Sequence, residues 1–274
     1  MLAAALIVFR EALEAALVIG IIAAATRSVA SRSRWISFGI AAGVLGSLVV
    51  AGLAGWIATL ASGYGQEIFT AAVLAIAVAM LAWHNVWMAR HGAEMAARAR
   101  GVGAAVVKGE SALSAVALAI ALTVLREGSE TVLFLQGIAA SGNGGALSVL
   151  GGGALGLGGG ALLGAIIYLG LLRVPLRWFF KVTGWLVLLL AAGMASQLAR
   201  VLTQADLLPT IADKAWDTSA LLPVDSLLGV LLHSLIGYDA TPSGVQVAFY
   251  CAALVAIFVS MRAVAPRPSQ PIAT

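Results

Sequence analysis

Charge is what this sequence has least of. Of its 274 residues, 10% are Asp, Glu, Lys or Arg, against about 25% in ordinary soluble domains. Hydrophobic residues make up 61%, and a water-soluble fold of this length has no way to hide that much apolar surface. The bilayer must be most of its solvent. Cysteine is almost missing as well. Cys251 stands alone, which excludes an intrachain disulfide and any cysteine-based metal cluster. No basic stretch precedes the first apolar run, and that run carries Arg10, Glu11 and Glu14, so it reads as a membrane span and not as a secretory leader. The apolar runs hold no zinc-protease motif and no nucleophile–base pair, and the chain is not expected to be an enzyme. The net charge of +4 is modest. Its basic residues sit in short loops between apolar runs, where they read as topology signals and not as a nucleic-acid surface.

What the sequence does have is apolar length. Seven stretches, about 2–25, 36–60, 67–89, 112–140, 146–172, 178–204 and 244–262, can each span a hydrocarbon core that takes about 20 residues. In lipid each such run satisfies its own backbone groups as a helix. The expected fold is therefore an all-α integral membrane protein with seven transmembrane helices. Twelve of the 16 basic residues follow the first, third, fifth and seventh runs: Arg27, Arg32, Arg34, Arg90, Arg98, Arg100, Lys108, Arg173, Arg177, Lys181, Arg262 and Arg267. The positive-inside rule then places the N-terminus outside and the C-terminus in the cytoplasm of a multi-pass inner (plasma) membrane protein. The opposite side is acidic, with Asp206, Asp213, Asp217, Asp225 and Asp239 in the loop before the seventh run. Within that loop, Asp225 to Leu235 is apolar enough to predict a short helix. The tail 265–274, with three prolines, reads as disordered.

The chain repeats itself. Val8-Phe9-Arg10-Glu11-Ala12-Leu13-Glu14 in the first run matches Val124-Leu125-Arg126-Glu127-Gly128-Ser129-Glu130 in the fourth, at an offset of 116 residues. Three spans separate the copies, so their helices run in opposite directions. That is the mark of an inverted-topology repeat with its site near the midplane. The second run has small residues every fourth position (Gly39, Gly43, Ser47, Ala51, Gly55), and the fifth has Gly152, Gly156, Gly160 and Gly164; such ridges let helices approach closely in lipid. The expected organisation is one transmembrane domain over 1–264, with repeat one at about 1–95 and repeat two at about 110–204. An outer loop at 205–243 and an unpaired seventh helix at 244–262 complete it.

Both Arg-Glu-x-x-Glu clusters lie midway along their runs. An ionisable residue there costs roughly 2.5–3.5 kcal/mol on insertion scales, so three unpaired on one helix would cost about 8–10 kcal/mol. They must face each other or a hydrated cavity. Helical spacing puts Glu11 with Glu14, and Glu127 with Glu130, on common faces, and sets Arg10 and Arg126 four residues before Glu14 and Glu130. Four glutamates against two arginines leave a formal −2 that invites a cation, and oxygen ligands favour hard cations. The competing accounts of the same residues are a lock between helices and a proton relay.

These two clusters resemble the paired motifs of the high-affinity iron permease family, which includes the fungal plasma-membrane iron permease and the bacterial inner-membrane ferrous/ferric iron uptake permease. The likeness extends to Trp216-Asp217-Thr218-Ser219, His233, Gly237-Tyr238 and Pro242-Ser243 in the outer loop. Ala12 stands where many members have glycine, while Gly128 is kept. The resemblance implies iron import, with Glu11, Glu14, Glu127 and Glu130 as ligands to the transported ion, Arg10 and Arg126 as charge-balancing groups, and no permanently bound cofactor. It also implies work beside periplasmic iron-oxidising or iron-delivering proteins. Alternatives are transport of another divalent cation such as lead or manganese, or proton-coupled export. Outer candidates for receiving cations are Glu67, Asp213 and Asp217; candidates for release are His84 and His91, at the cytoplasmic end of the third run beside Met88, Trp83 and Trp87. Tyr64, Gln136 and Gln197 are further polar groups for lining a path.

Overall fold

The computed structural model describes residues 1–61, 66–142, 145–170 and 176–264. The described residues form eight helices and no strand: α1 (Leu2–Ala25), α2 (Arg32–Ala61), α3 (Gln66–Val107), α4 (Leu113–Ala140), α5 (Ala146–Tyr168), α6 (Leu176–Gln204), α7 (Leu227–Ile236) and α8 (Gly244–Val264). Five of them, α2, α3, α5, α6 and α8, are long and apolar enough to cross a membrane. With 24 and 28 residues, α1 and α4 have the length too, at about 1.5 Å per residue, but each carries three charges at its middle. The large apolar side chains left open, such as Phe38, Leu45, Leu48 and Trp56 on α2, are what lipid-facing surface requires.

The helices depart from the expected runs mainly in α3; α2 begins four residues earlier than expected and α5 ends four residues earlier. The third apolar run ends near residue 89, yet α3 continues to Val107. Its alanine-rich second half is intrinsically helical. It also has a surface to bury, because Ala99 and Val106 pack with Ile22, Val116 and Ile120. The division expected near residue 95 therefore falls inside a continuous helix. The outer loop contains α7, two residues off the short helix expected at Asp225–Leu235. Ser226 caps it by accepting from the Gly229 N–H at 3.0 Å. Gly237 ends it in the left-handed region at φ 71°, which glycine adopts without a Cβ penalty. There Gly237 sits directly against Gly193 of α6. Tyr64 and the tail 265–274 lie outside the described residues.

Helices pair across the two halves of the chain. The glycine ridge of α5 lies along α1. A Cβ on Gly160 would come within 2.6 Å of the Phe9 carbonyl oxygen and 2.8 Å of Ala12 Cβ, and one on Gly156 would meet the Phe9 nitrogen at 2.8 Å. The matching ridge of α2 lies along α4. A Cβ on Gly39 would sit 2.6 Å from the Ala117 carbonyl oxygen, and one on Gly43 2.6 Å from Val124 Cβ. Ser47 Oγ donates to the Gly43 and Val124 carbonyls at 3.0 and 3.3 Å. The contact ends before Gly55, around which a Cβ would find nothing within 4 Å. Lipid offers no hydrophobic drive for helix association, so this close backbone approach is what holds α1 to α5 and α2 to α4.

A bulky residue in the α1–α5 seam should therefore force the helices apart. Gly160→Val is expected to lower the thermal midpoint of the detergent-solubilised protein, at an overpacking cost of about 1–3 kcal/mol. Gly158→Val, at a position with nothing within 4 Å, carries the same helix-propensity change and should leave the midpoint near wild type. Equal midpoints for the two variants would contradict the packing account.

Candidate metal centre

The two motifs meet. On α1 and α4 the i, i+3 spacing turns both glutamates of each motif to one side, and α3 passes against both helices with His84 at the crossing. One ligand atom from each of Glu11, His84, Glu127 and Glu130 can be chosen so that all four lie within 4.8 Å of one another. Glu14 adjoins them, with Oε1 3.8 Å from His84 Nε2. Arg10, Glu11, Glu14, His84 and Glu127 are each 3% exposed or less.

The two arginines are held differently. Arg10 is buried. Its Nε lies 3.1 Å from Glu14 Oε1, and its Nη1 donates to Asn85 Oδ1 at 3.2 Å. Asn85 in turn donates to the Gly184 carbonyl of α6 at 3.4 Å, so Arg10 is tied to a helix outside its own motif. The Arg126 side chain is 33% exposed. Its Nε donates to Glu130 Oε1 at 3.0 Å and lies 3.9 Å from Glu127 Oε1. Its guanidinium stacks 4.0 Å from the centre of the Trp87 ring, a cation–π contact. Each arginine thus neutralises a carboxylate four residues on, as the spacing predicts.

Those pairings do not satisfy the cluster. Glu11 Oε2, both Glu14 oxygens, Glu127 Oε2 and His84 Nε2 are buried with no hydrogen-bond partner. Buried carboxylate oxygens without donors are costly, and several lone pairs converging on one point form a receptor for a cation. From Glu14 and Arg10 a cavity of about 840 Å³ opens between the C-terminal half of α1 and the start of α6, past Met88 and Lys181. At the other end of the cluster, Ile7, Phe134, Ile138 and Met194 are buried together.

Of the other sequence candidates, Glu67, Asp213 and Asp217 are exposed and separate from the cluster. The Asp217 carboxylate is already occupied: the Ser219 hydroxyl and N–H and Lys214 Nζ donate to it at 2.5, 3.1 and 3.2 Å. These donors, Ser219 foremost, hold its pKa down at about 2. His91 is half-buried one turn beyond Trp87, stacked on that ring at 5.0 Å. His84 is not beyond the glutamates but among them, and Asn85 was not anticipated at all. The available signal was a polar pair inside an apolar run, which in a membrane helix points to function before anything else.

Comparison with known proteins agrees with the geometry. The model of the iron permease FTR1 family matches residues 1–267. The chain is similar to the ferrous iron permease EfeU of Shigella sonnei, at 32% identity over 266 residues, covering 96% of this chain and 95% of that protein. The protein of the same name from Escherichia coli O6:H1 is 33% identical over 260 residues, 93% of each chain. That of Yersinia pestis is 30% identical over 255 residues, 89% of this chain and 87% of the relative. No solved structure matches the chain.

Asn85→Ala tests the buried arginine's anchor. It removes the acceptor for Arg10 Nη1, and leaving a buried charged donor unmet costs about 1–3 kcal/mol or more. The thermal midpoint in detergent is expected to fall accordingly. An unchanged midpoint would mean that the bond to Asn85 contributes nothing.

Proposed function

The chain belongs to the iron permease FTR1 family, and from that premise we propose that iron ions cross the membrane through the buried carboxylates of α1 and α4. It is an iron uptake permease, a multi-pass protein of the inner membrane. The observation that carries the site assignment is the convergence of Glu11, Glu127, Glu130 and His84 ligand atoms within 4.8 Å of one another, with Glu14 beside them. Glu11, Glu14, Glu127 and Glu130 act on the ion in transit; Arg10 and Arg126 orient the carboxylates and limit their mutual repulsion while no cation is bound.

Seven spans with the N-terminus outside and the C-terminus in the cytoplasm are the topology we assign. The spans are α1 to α6 and α8, and the basic residues concentrated at one set of helix ends support the orientation. The inverted repeat, α1–α3 against α4–α6 within one domain, is supported by the crossed pairing. In each half the motif helix is clasped by the glycine-bearing second helix of the other half, as a twofold axis in the membrane plane requires. Outside, the acidic residues Glu67 and Asp213 gather cations; Asp217 serves first to brace its own loop, through Ser219 and Lys214. Release follows the 840 Å³ cavity, which begins at Glu14 and opens at the ends of α1 and α5 that this orientation puts in the cytoplasm, with Met88 and Met95 on the α3 side. Delivery by periplasmic iron-oxidising or iron-carrying proteins suits an outer face made largely of the 205–243 loop.

Uptake of radioactive iron in cells lacking other iron importers tests the site. At wild-type levels of protein in the membrane, Glu14→Gln and Glu130→Gln should each cut uptake by at least about tenfold, since each removes a negative charge from a site that holds a cation. Wild-type accumulation by both would end the assignment.

A further inference from the structure

Four carboxylates alone discriminate poorly among divalent cations, because oxygen donors suit magnesium, calcium and manganese. One nitrogen donor stands in the cluster. His84 comes from α3, outside both repeated motifs, and is 2% exposed. Its Nδ1 contacts Glu130 Oε2, and Phe134 meets the imidazole at 90° with ring centres 6.2 Å apart. The ring is thereby clamped on two sides. Its free nitrogen, Nε2, is buried without a hydrogen-bond partner and lies 3.6 Å from Glu11 Oε1 and 3.8 Å from Glu14 Oε1. A carboxylate that accepts from one imidazole N–H while the other nitrogen faces further carboxylates is the arrangement of metal-binding histidines, in which the accepting carboxylate sets the tautomer and aims the lone pair.

Resting on the carboxylate site assigned above, we propose that His84 is the specificity-determining ligand of the transport site. Its Nε2 binds the ion together with Glu11 and Glu14, and its Nδ1–H is oriented by Glu130. Glu130, which also accepts from Arg126 Nε at 3.0 Å, then acts largely as a positioning residue. An imidazole added to oxygen donors shifts preference along the first-row series, away from magnesium and manganese and toward ferrous iron. The cargo bound here is therefore a divalent first-row ion of borderline softness, and manganese is selected against.

The competing account of His84 is a counter-charge that only offsets the glutamates. Three variants separate the two in cells supplied with ferrous iron and manganese together. His84→Gln keeps a neutral oxygen donor in place of nitrogen, and the ratio of iron to manganese uptake is expected to fall at least about tenfold. His84→Lys keeps a positive charge but offers no lone pair, and should abolish uptake. Wild-type uptake and selectivity in either variant overturns the proposal. Glu11→Gln, measured alongside, isolates the carboxylate reading. If it is inactive while His84→Gln is fully selective, only the role of His84 falls; if it imports iron normally, the site itself falls. A measurement on the purified wild-type protein covers a variant that does not fold. With one equivalent of cupric ion, electron spin echo modulation should show imidazole nitrogen. No nitrogen signal, or one that persists in His84→Gln, overturns the assignment.

Discussion

Everything in this protein is arranged around carboxylates held close together out of water. In a low-dielectric interior the repulsion among Glu11, Glu14, Glu127 and Glu130 would drive their helices apart. Arg10 and Arg126 offset half of the formal charge. The other half stays uncompensated by arginine, and one carboxylate oxygen each of Glu11 and Glu127 lacks a donor. A structure that merely needed a helix lock would pair each acid with a base and stop there. Keeping a surplus of acids at the centre of the bundle suits the proposed site, whose cation arrives from solution and leaves again.

The surplus is tolerable because the packing on either side is strong. Along α1, Ile7 lies before the motif and Ile22 after it; along α4, Ile120 lies before and Phe134 after. The residues on the Ile7 and Phe134 side belong to one apolar cluster, and those on the Ile22 and Ile120 side to another. The charged layer is thus sandwiched between two apolar layers shared by the same helices. The small-residue seams do the clasping. Gly156 and Gly160 bring α5 onto the backbone of α1 just before and at the motif, and Gly43 and Ser47 bring α2 onto α4 at Val124 and Leu125. A side chain in either seam would move the motif helix, and the carboxylates with it.

The two halves are alike in their motif helices and unlike in what supports them. Arg10 is sealed in by Asn85 and, through it, by α6; Arg126 lies partly open against the face of Trp87. Both supports, like His84, come from α3. The cluster is enclosed toward the N-terminal end of α1, and the large cavity adjoins it toward the C-terminal end. One helix outside the motifs thus supplies both the imidazole at the centre and the difference between its two arginines.

Much of this was legible in the sequence because it depends on local geometry. Apolar length specifies helices in lipid, and α1 and α4 follow the expected bounds closely. The 3.6-residue period alone puts Arg10 beside Glu14 and Arg126 beside Glu130, and four-residue spacing makes Gly156 and Gly160 one ridge. What no local rule supplies is the distance between elements far apart in the chain. That His84 and Asn85 stand among the glutamates depends on where α3 crosses α1 and α4. That α3 runs on to Val107 depends on a surface offered by Ile22 and Val116. That Asp217 is already bound by Ser219 and Lys214 depends on how its loop turns. Periodicity is a property of one helix and can be read along it; the meeting of side chains from several helices is not, and only their packing decides it.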